Sequence, residues 1–409
     1  MKTNKLNVFI QFSEQEELLG QLVLDGREIL FKYSESYLES GGNISPIKLS
    51  FDQTIQTTSS ILFKGLFGVF SDSLPDAWGT LLMKKHLKNN GIAIETLNAL
   101  EHLAFVGNNG LGALLYKPST NNRSADTKKI DLDILDNNVQ EVIKGESNEV
   151  VDKLFERGGS PGGARPKIYA NYNQVTDSLI YGGANLQEGY THWIIKFAAN
   201  IDVEDIANVE MAYYYMALDA GLIMSESKLF TGLSGKKYFG TKRFDRIGNK
   251  RLHMISAAGL LHDDYEHSQL DYGVLMQEGS NLVDSAVVYE QILRQAAFNI
   301  FAHNRDDHSK NFAFLMDEFG KWEFAPSYDL TFSASSQGQH STACAGNAIN
   351  PGTKELLELT NHFSIKNGPV IIEQVKDSVS KWHIFAQQTR VSNISEKSIA
   401  KVLNELIKG

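Results

Sequence analysis

Between His303 and Asn311 the chain reads His-Asn-Arg-Asp-Asp-His-Ser-Lys-Asn, and Tyr328-Asp329-Leu330 follows a short distance on. These are the residue types that phosphoryl transfer requires. An acceptor hydroxyl needs a carboxylate to orient it and take its proton, and Asp306 would serve as that base. Asn311 offers a neutral amide oxygen to a magnesium ion, a hard cation that selects oxygen ligands, and Asp329 supplies the charged partner bridging metal and phosphates. Taken singly, each of these side chains would serve equally as a cap on a solvated loop. Together, in this order around a strand pair, they point to phosphoryl transfer. A metallohydrolase built on His303, Asp307 and His308 is the weaker alternative, because no further His or Cys cluster stands nearby.

The neighbouring segments must position these residues. Val287 to Ala302 carries Val288, Ile292, Leu293, Ala296 and Ile300 at helical spacing, so one apolar face would deliver the loop at its end. Asn311 to Met316 reads as a buried strand and Lys321 to Phe324 as its return. A hairpin there brings Asp329 back beside Asn311.

A nucleotide would need its own cradle upstream. Gly158-Gly159-Ser160-Pro161-Gly162-Gly163-Ala164-Arg165-Pro166-Lys167 places four glycines in six positions before a strand, so backbone amides can approach phosphates closely. The same glycines would also suit a plain hinge, and the spacing is not that of a Walker A loop. Lys196, within the apolar run His192 to Phe197, would hold phosphates or snorkel to water. Its orienting carboxylate would be Glu210, with Glu204 second. Backbone around Lys242, Arg243 and Phe244 would meet an adenine edge, with Phe244 on its face; alternatively Phe244 is core and Arg243 pairs with Asp245 at the surface.

The 409 residues carry a net charge of -10 with 42% hydrophobic and 22% charged residues, an ordinary globular composition that argues against an overall field built to grip phosphate backbones. Cys344 is the single cysteine, which excludes an intrachain disulfide and suits a reducing compartment. The N-terminus leads into an alternating strand, Leu6, Val8, Ile10 and Phe12, rather than an apolar leader, and no stretch reaches the roughly 18 to 20 apolar residues of a membrane span. A cytoplasmic protein is expected. Asp25-Gly26 between apolar runs predicts a hairpin, the texture turns helical from Ile61, and a helix opens near Asp76. A second helix ends at the Gly107 to Gly112 turn, and Pro118 to Lys129 reads as a loop.

With the glycine-rich loop, the strand lysine, Arg243-Phe244-Asp245-Arg246, Asp306 to Asn311 and Ala325 to Leu330 in this order, the chain resembles the HipA family of toxin kinases over nearly its whole length. Leu74 to Gly79 and Phe105 to Leu114 extend the likeness to the N-terminal part. The resemblance implies an α+β, protein-kinase-like two-lobed fold. A mixed-sheet N-lobe would include a small β-rich N-terminal subdomain over 1–117 and a nucleotide-binding part over 118–245, followed by an all-helical catalytic C-lobe over 246–409. It implies a serine/threonine kinase using ATP and Mg2+, with Asp306 as base and Asn311 and Asp329 on the metal. Gly162, Gly163, Ala164, Arg165, Pro166, Lys167, Lys196, Lys242, Arg243, Phe244 and Tyr328 would face the nucleotide, His308 and Lys310 would lie beside the phosphates, and Ser160 would be autophosphorylated. It further implies a toxin acting on a protein, possibly an aminoacyl-tRNA synthetase, and neutralised by a HipB-like helix-turn-helix antitoxin that makes most of the DNA contact. Lys242 departs from the acidic residue some members carry there. The alternatives are an aminoglycoside-type small-molecule kinase and a catalytically silent co-repressor.

Overall fold

The computed structural model describes residues 3–58, 62–120, 128–145, 165–182, 186–334 and 338–408, together with Val151 and Leu154. They fall into two compact units. The first comprises 1–202, 230–255 and 315–321, and the second 203–229, 256–314 and 322–409.

The first unit begins where apolar residues alternate. Strand β1 (Lys5–Ile10) buries Leu6, Val8 and Ile10 on one face, as period-2 patterning requires. It pairs antiparallel with β2 (Glu17–Asp25), which turns through Gly26, at φ 60°, into β3 (Glu28–Tyr33) with Asp25 opposite Glu28. With β4 (Gln56–Thr57) and β5 (Leu114–Lys117) the sheet order is β4-β3-β2-β1-β5. The expected helices run over Ala77–Asn89 and Ala99–Val106. The second starts on an Asn98/Glu101 capping box and stops at Gly107, at φ 56°.

A second sheet follows, ordered β7-β6-β8-β10-β9, from β6 (Lys167–Asn173), β7 (Ser178–Tyr181), β8 (Thr191–Lys196), β9 (Ser227–Thr231) and β10 (Lys237–Lys242). The pairings of β6 with β7 and β8, and of β8 with β10, are antiparallel. Ile168, Ala170, Tyr172, Trp193 and Ile195 share the core face, packed with Trp78, Leu82, Leu135, Val139 and Val142. The last three belong to a helix, Leu132–Lys144, that starts on Asp131 and ends at Gly145 in the left-handed conformation.

The helix Ile206–Asp219, within the stretch 118–245 expected to form the nucleotide-binding part, belongs to the second unit. Its buried Tyr213 explains why: the ring meets Phe298 and Trp382, and its hydroxyl donates to the Ala302 carbonyl at 2.6 Å. Helix Val287–Phe301 buries all five residues of the expected apolar face. Helices Thr353–His362, Gly368–Ser380, Trp382–Gln388 and Asn393–Leu406 complete the unit. Among the described residues no helix is long and apolar enough to cross a membrane.

Candidate active site

The segment carrying Asp306 starts where helix Val287–Phe301 stops. His303 reverses the chain at φ 53°, stacks on Phe332 at 4.9 Å, and is held neutral, its pKa pushed down to about 4 by burial with Arg305 and His340 adding repulsion. Arg305 N–H then donates to the Ser333 carbonyl at 3.1 Å, and Ser333 N–H to the His303 carbonyl at 3.0 Å, a parallel bridge centred on Asn304. Beyond it the Asp306 side chain is 60% exposed, with His308 Nε2 at 3.8 Å from Oδ1. Ser309–Asn311 form a single 3₁₀ turn, and Asn311 Nδ2 donates to the Asp306 carbonyl at 2.6 Å.

Ala313–Met316 and Trp322–Phe324 form the expected strand and return, with Ala325 N–H donating to Ala313 O at 2.9 Å. Tyr328 Oη donates to the Lys310 carbonyl at 2.6 Å, and Ser333 is bridged to Asn304. Asp329, at φ 57°, lies between these two ties. Its segment is therefore fastened at both ends to the loop that carries Asp306 and Asn311. Left-handed backbone at a non-glycine residue is costly and collects at functional positions, and here it occurs on both sides of the pairing, at His303 and Asp329.

Two further features were not read from the sequence as part of a phosphoryl-transfer site. Tyr265 lies under the Lys310 ammonium at 4.2 Å from its ring centroid and 5.7 Å from the His308 ring. The Asp307 carboxylate, fully buried, accepts from Tyr272 Oη at 2.8 Å, His340 Nδ1 at 2.9 Å, Ser341 N–H at 2.8 Å and Thr342 N–H at 3.3 Å.

The nucleotide-side residues are in the first unit, apart from Glu210. Ser160, Gly162, Gly163 and Ala164 lie outside the described residues. Arg165 grips Asp202 with Nε at 3.0 and 3.1 Å from the two carboxylate oxygens, and the Pro166 carbonyl accepts from Phe197 N–H at 2.8 Å. Lys167 and Lys196 stand directly opposite each other in β6 and β8, so both side chains leave the same face, where they are 6% and 9% exposed. Lys196 Nζ is 5.4 Å from the Phe239 ring centroid. Lys242 pairs with Trp193 and so takes the opposite, core-side face. Arg243 is neither a surface residue nor paired at the surface: it is buried, binds Asp245 and lies 4.3 Å from the Tyr169 ring centroid. Phe244 is half-buried. Glu210 is buried in helix Ile206–Asp219 of the second unit, and Glu204 is exposed.

The donor set fits magnesium chemically. Asn311 and Asp329 present oxygen, the ligand a hard cation selects. Among the described residues, five of the ten buried side-chain polar atoms without a hydrogen-bond partner lie on the same segments, at His303 Nδ1, Asn304 Oδ1, Arg305 Nε, His308 Nδ1 and Thr331 Oγ1. Among the described residues no group of three or more His, Cys, Asp or Glu forms a metal cluster, and Asp307 spends its carboxylate inward. The metallohydrolase alternative has no support here.

The HipA-like C-terminal domain family matches residues 159–400, and the HipA N-terminal domain family matches residues 10–117. This chain belongs to the HipA family. The HipA toxin of Shewanella oneidensis MR-1, solved with HipB and its operator DNA, is 16% identical, with a TM-score of 0.68 over 98% of this chain and 95% of that one, and shows that the fold is HipA's. CtkA, a proinflammatory kinase of Helicobacter pylori, aligns with 56% of this chain and 90% of its own at 16% identity and a TM-score of 0.41. No curated protein matches.

Proposed function

We propose that this HipA-family chain is a serine/threonine protein kinase that transfers the γ-phosphoryl group of ATP to a protein hydroxyl. One observation carries the reading. An exposed carboxylate, Asp306, sits on a loop turn closed by Asn311, and the segment bearing Asp329 is tied to that loop through Tyr328 and Ser333.

In the reaction, Asp306 accepts the proton of the acceptor hydroxyl as its oxygen bonds to the γ-phosphorus; the bond from that phosphorus to the β,γ-bridging oxygen breaks, and ADP leaves with the electron pair. Asn311 and Asp329 would hold magnesium, which when bound neutralises charge on the phosphates. Lys167 and Lys196 present two ammonium groups from one sheet face to the nucleotide's phosphates, with Glu210 as the orienting carboxylate. His308 and Lys310 bracket the transferred group, and Arg165 and Pro166 hold the strand end of the glycine-rich loop.

Regulation and partners are part of the same proposal. Phosphorylation at Ser160 would add about two negative charges to a phosphate-binding loop and switch it off by repulsion. The Shewanella relative's complex with HipB and operator DNA supports a helix-turn-helix antitoxin as partner, with DNA held mainly through it. The net charge of -10 suits that division of labour. A translation component such as an aminoacyl-tRNA synthetase is the proposed acceptor.

The test is Asp306→Ala. Loss of the general base lowers transfer of label from ATP to protein by on the order of 10² to 10⁴ while magnesium-dependent ATP binding persists. Undiminished transfer refutes the assignment, and label passing only to small metabolites returns the small-molecule kinase.

A further inference from the structure

We propose that Asp307 is the positioning residue that aims Asp306, an inference that rests on Asp306 being the catalytic base. The two neighbouring carboxylates have opposite fates. Asp306 is 60% exposed at its side chain, whereas Asp307 is fully buried.

The Asp307 side chain accepts four hydrogen bonds from two directions. Tyr272 Oη, at 2.8 Å, comes from helix Tyr272–Val283; His340 Nδ1 at 2.9 Å and the Ser341 and Thr342 amides at 2.8 and 3.3 Å come from one stretch of chain. The backbone is held too. Thr342 Oγ1 donates to the Asp307 carbonyl at 2.5 Å, and Asn311 Nδ2 to the Asp306 carbonyl at 2.6 Å. Both peptide planes that follow Asp306 are thereby fixed. The network continues inward, with Asn299 Nδ2 donating to Tyr272 Oη and Asn304 Nδ2 to Asn299 Oδ1, each at 2.9 Å. Helix Val287–Phe301 thus braces the same point.

A buried carboxylate is a poor device for stability alone, because its desolvation cost cancels much of what its hydrogen bonds return. Its use is directional. Four donors converging on one carboxylate allow a single loop conformation, and that conformation sends the preceding side chain outward. Asp307→Asn keeps the shape but brings an amide N–H₂ against donors, so the loop must shift. A base displaced by about 1 Å loses roughly 10²-fold in rate.

The experiment compares four full-length proteins, wild type, Asp307→Asn, Asp306→Ala and the double variant, by labelled phosphate transferred from ATP with magnesium and by ATP affinity from calorimetry. Asp307→Asn is expected to lower kcat about 10- to 100-fold while changing ATP affinity by less than about twofold, and to cause no further loss in the Asp306→Ala background. A merely structural role would cut the rate equally in both backgrounds or weaken ATP binding, and either result overturns the proposal. Should Asp307→Asn not fold, Tyr272→Phe carries the test, since it removes one of the four donors to Asp307, together with the bond that hydroxyl accepts from Asn299, and keeps the ring. It is expected to lower kcat severalfold only where Asp306 is present, and an unchanged kcat overturns the proposal. An inactive Asp306→Ala beside a fully active Asp307→Asn sinks this inference alone. A fully active Asp306→Ala sinks the assignment of Asp306 as the base with it.

Discussion

Asp245→Asn removes a carboxylate bonded to two buried guanidiniums, and its cost follows from the geometry of the first unit. Asp245 accepts from Arg243 Nε at 2.9 Å and Nη2 at 2.7 Å, from Arg246 Nη1 at 2.7 Å and from Gly112 N–H at 2.8 Å. The side chains of Arg243, Asp245 and Arg246 are 7%, 3% and 6% exposed. Arg246 also donates to the Gly112 carbonyl, so the group clasps the glycine turn to the end of β10. Asparagine preserves size but leaves both positive charges buried without a counter-charge, and breaking a buried pair in this way costs about 3 to 5 kcal/mol. For a unit of this size each kcal/mol lowers Tm by roughly 2 to 4 °C, so a fall of roughly 6 to 20 °C is expected in calorimetry or circular dichroism. The control is Lys250→Ala. It breaks an exposed pair with Glu318 and is expected to shift Tm by less than about 2 °C. An Asp245→Asn protein that melts within about 2 °C of wild type refutes the reasoning.

Two predictions concern other residues. Burial lowers the pKa of His253, whose Nε2 lies 3.0 Å from the Ile44 carbonyl, to about 4, and that of His102 likewise to about 4. Each is neutral when folded, so the stability it protects is complete above an unfolded pKa of about 6.5 and is lost as pH falls toward 4. His253→Gln should flatten the decline of unfolding free energy between those limits by about 1.4 kcal/mol per pH unit, read by denaturant titration at several pH values, and an unchanged slope counts against the burial argument. Burial alone would raise the Asp245 pKa, but Arg243 and Arg246 hold it well below the carboxylate range, so the clasp itself survives this acid window. Tyr265→Ala, which removes the ring beneath Lys310, should raise KM for ATP about two- to fivefold, the equivalent of about 0.5 to 1 kcal/mol, while Tyr265→Phe stays near wild type. Equal losses in both variants would mean the hydroxyl, not the ring, matters.

Much of the candidate site was legible because it is local. Asp306 and Asn311 are one turn apart, and the apolar run after Asn311 and its return required a hairpin. Alternation likewise revealed β1 to β3, and the Asp25-Gly26 pair their turn. What escaped depends on distant partners. Nothing near Asp307 announces that Tyr272, 35 residues before it, and His340, 33 after it, will bury its carboxylate. Arg243 looked like a nucleotide contact or a surface pair because Gly112, which completes its buried clasp through Asp245, lies 133 residues earlier than Asp245. Helix Leu132–Lys144 does carry a local signal: Asp131 as cap, Leu132, Leu135, Val139 and Val142 on one face, and Gly145 as stop. Helix Ile206–Asp219 is buried on several sides, so its own pattern could not say which unit it would join.

The most direct test of the account is a crystal structure of the chain with magnesium and a non-hydrolysable ATP analogue. The account predicts an ion held by Asn311 Oδ1 and the Asp329 carboxylate, with the γ-phosphate facing Asp306. An ion bound away from both side chains, or a γ-phosphate out of reach of Asp306, would contradict it.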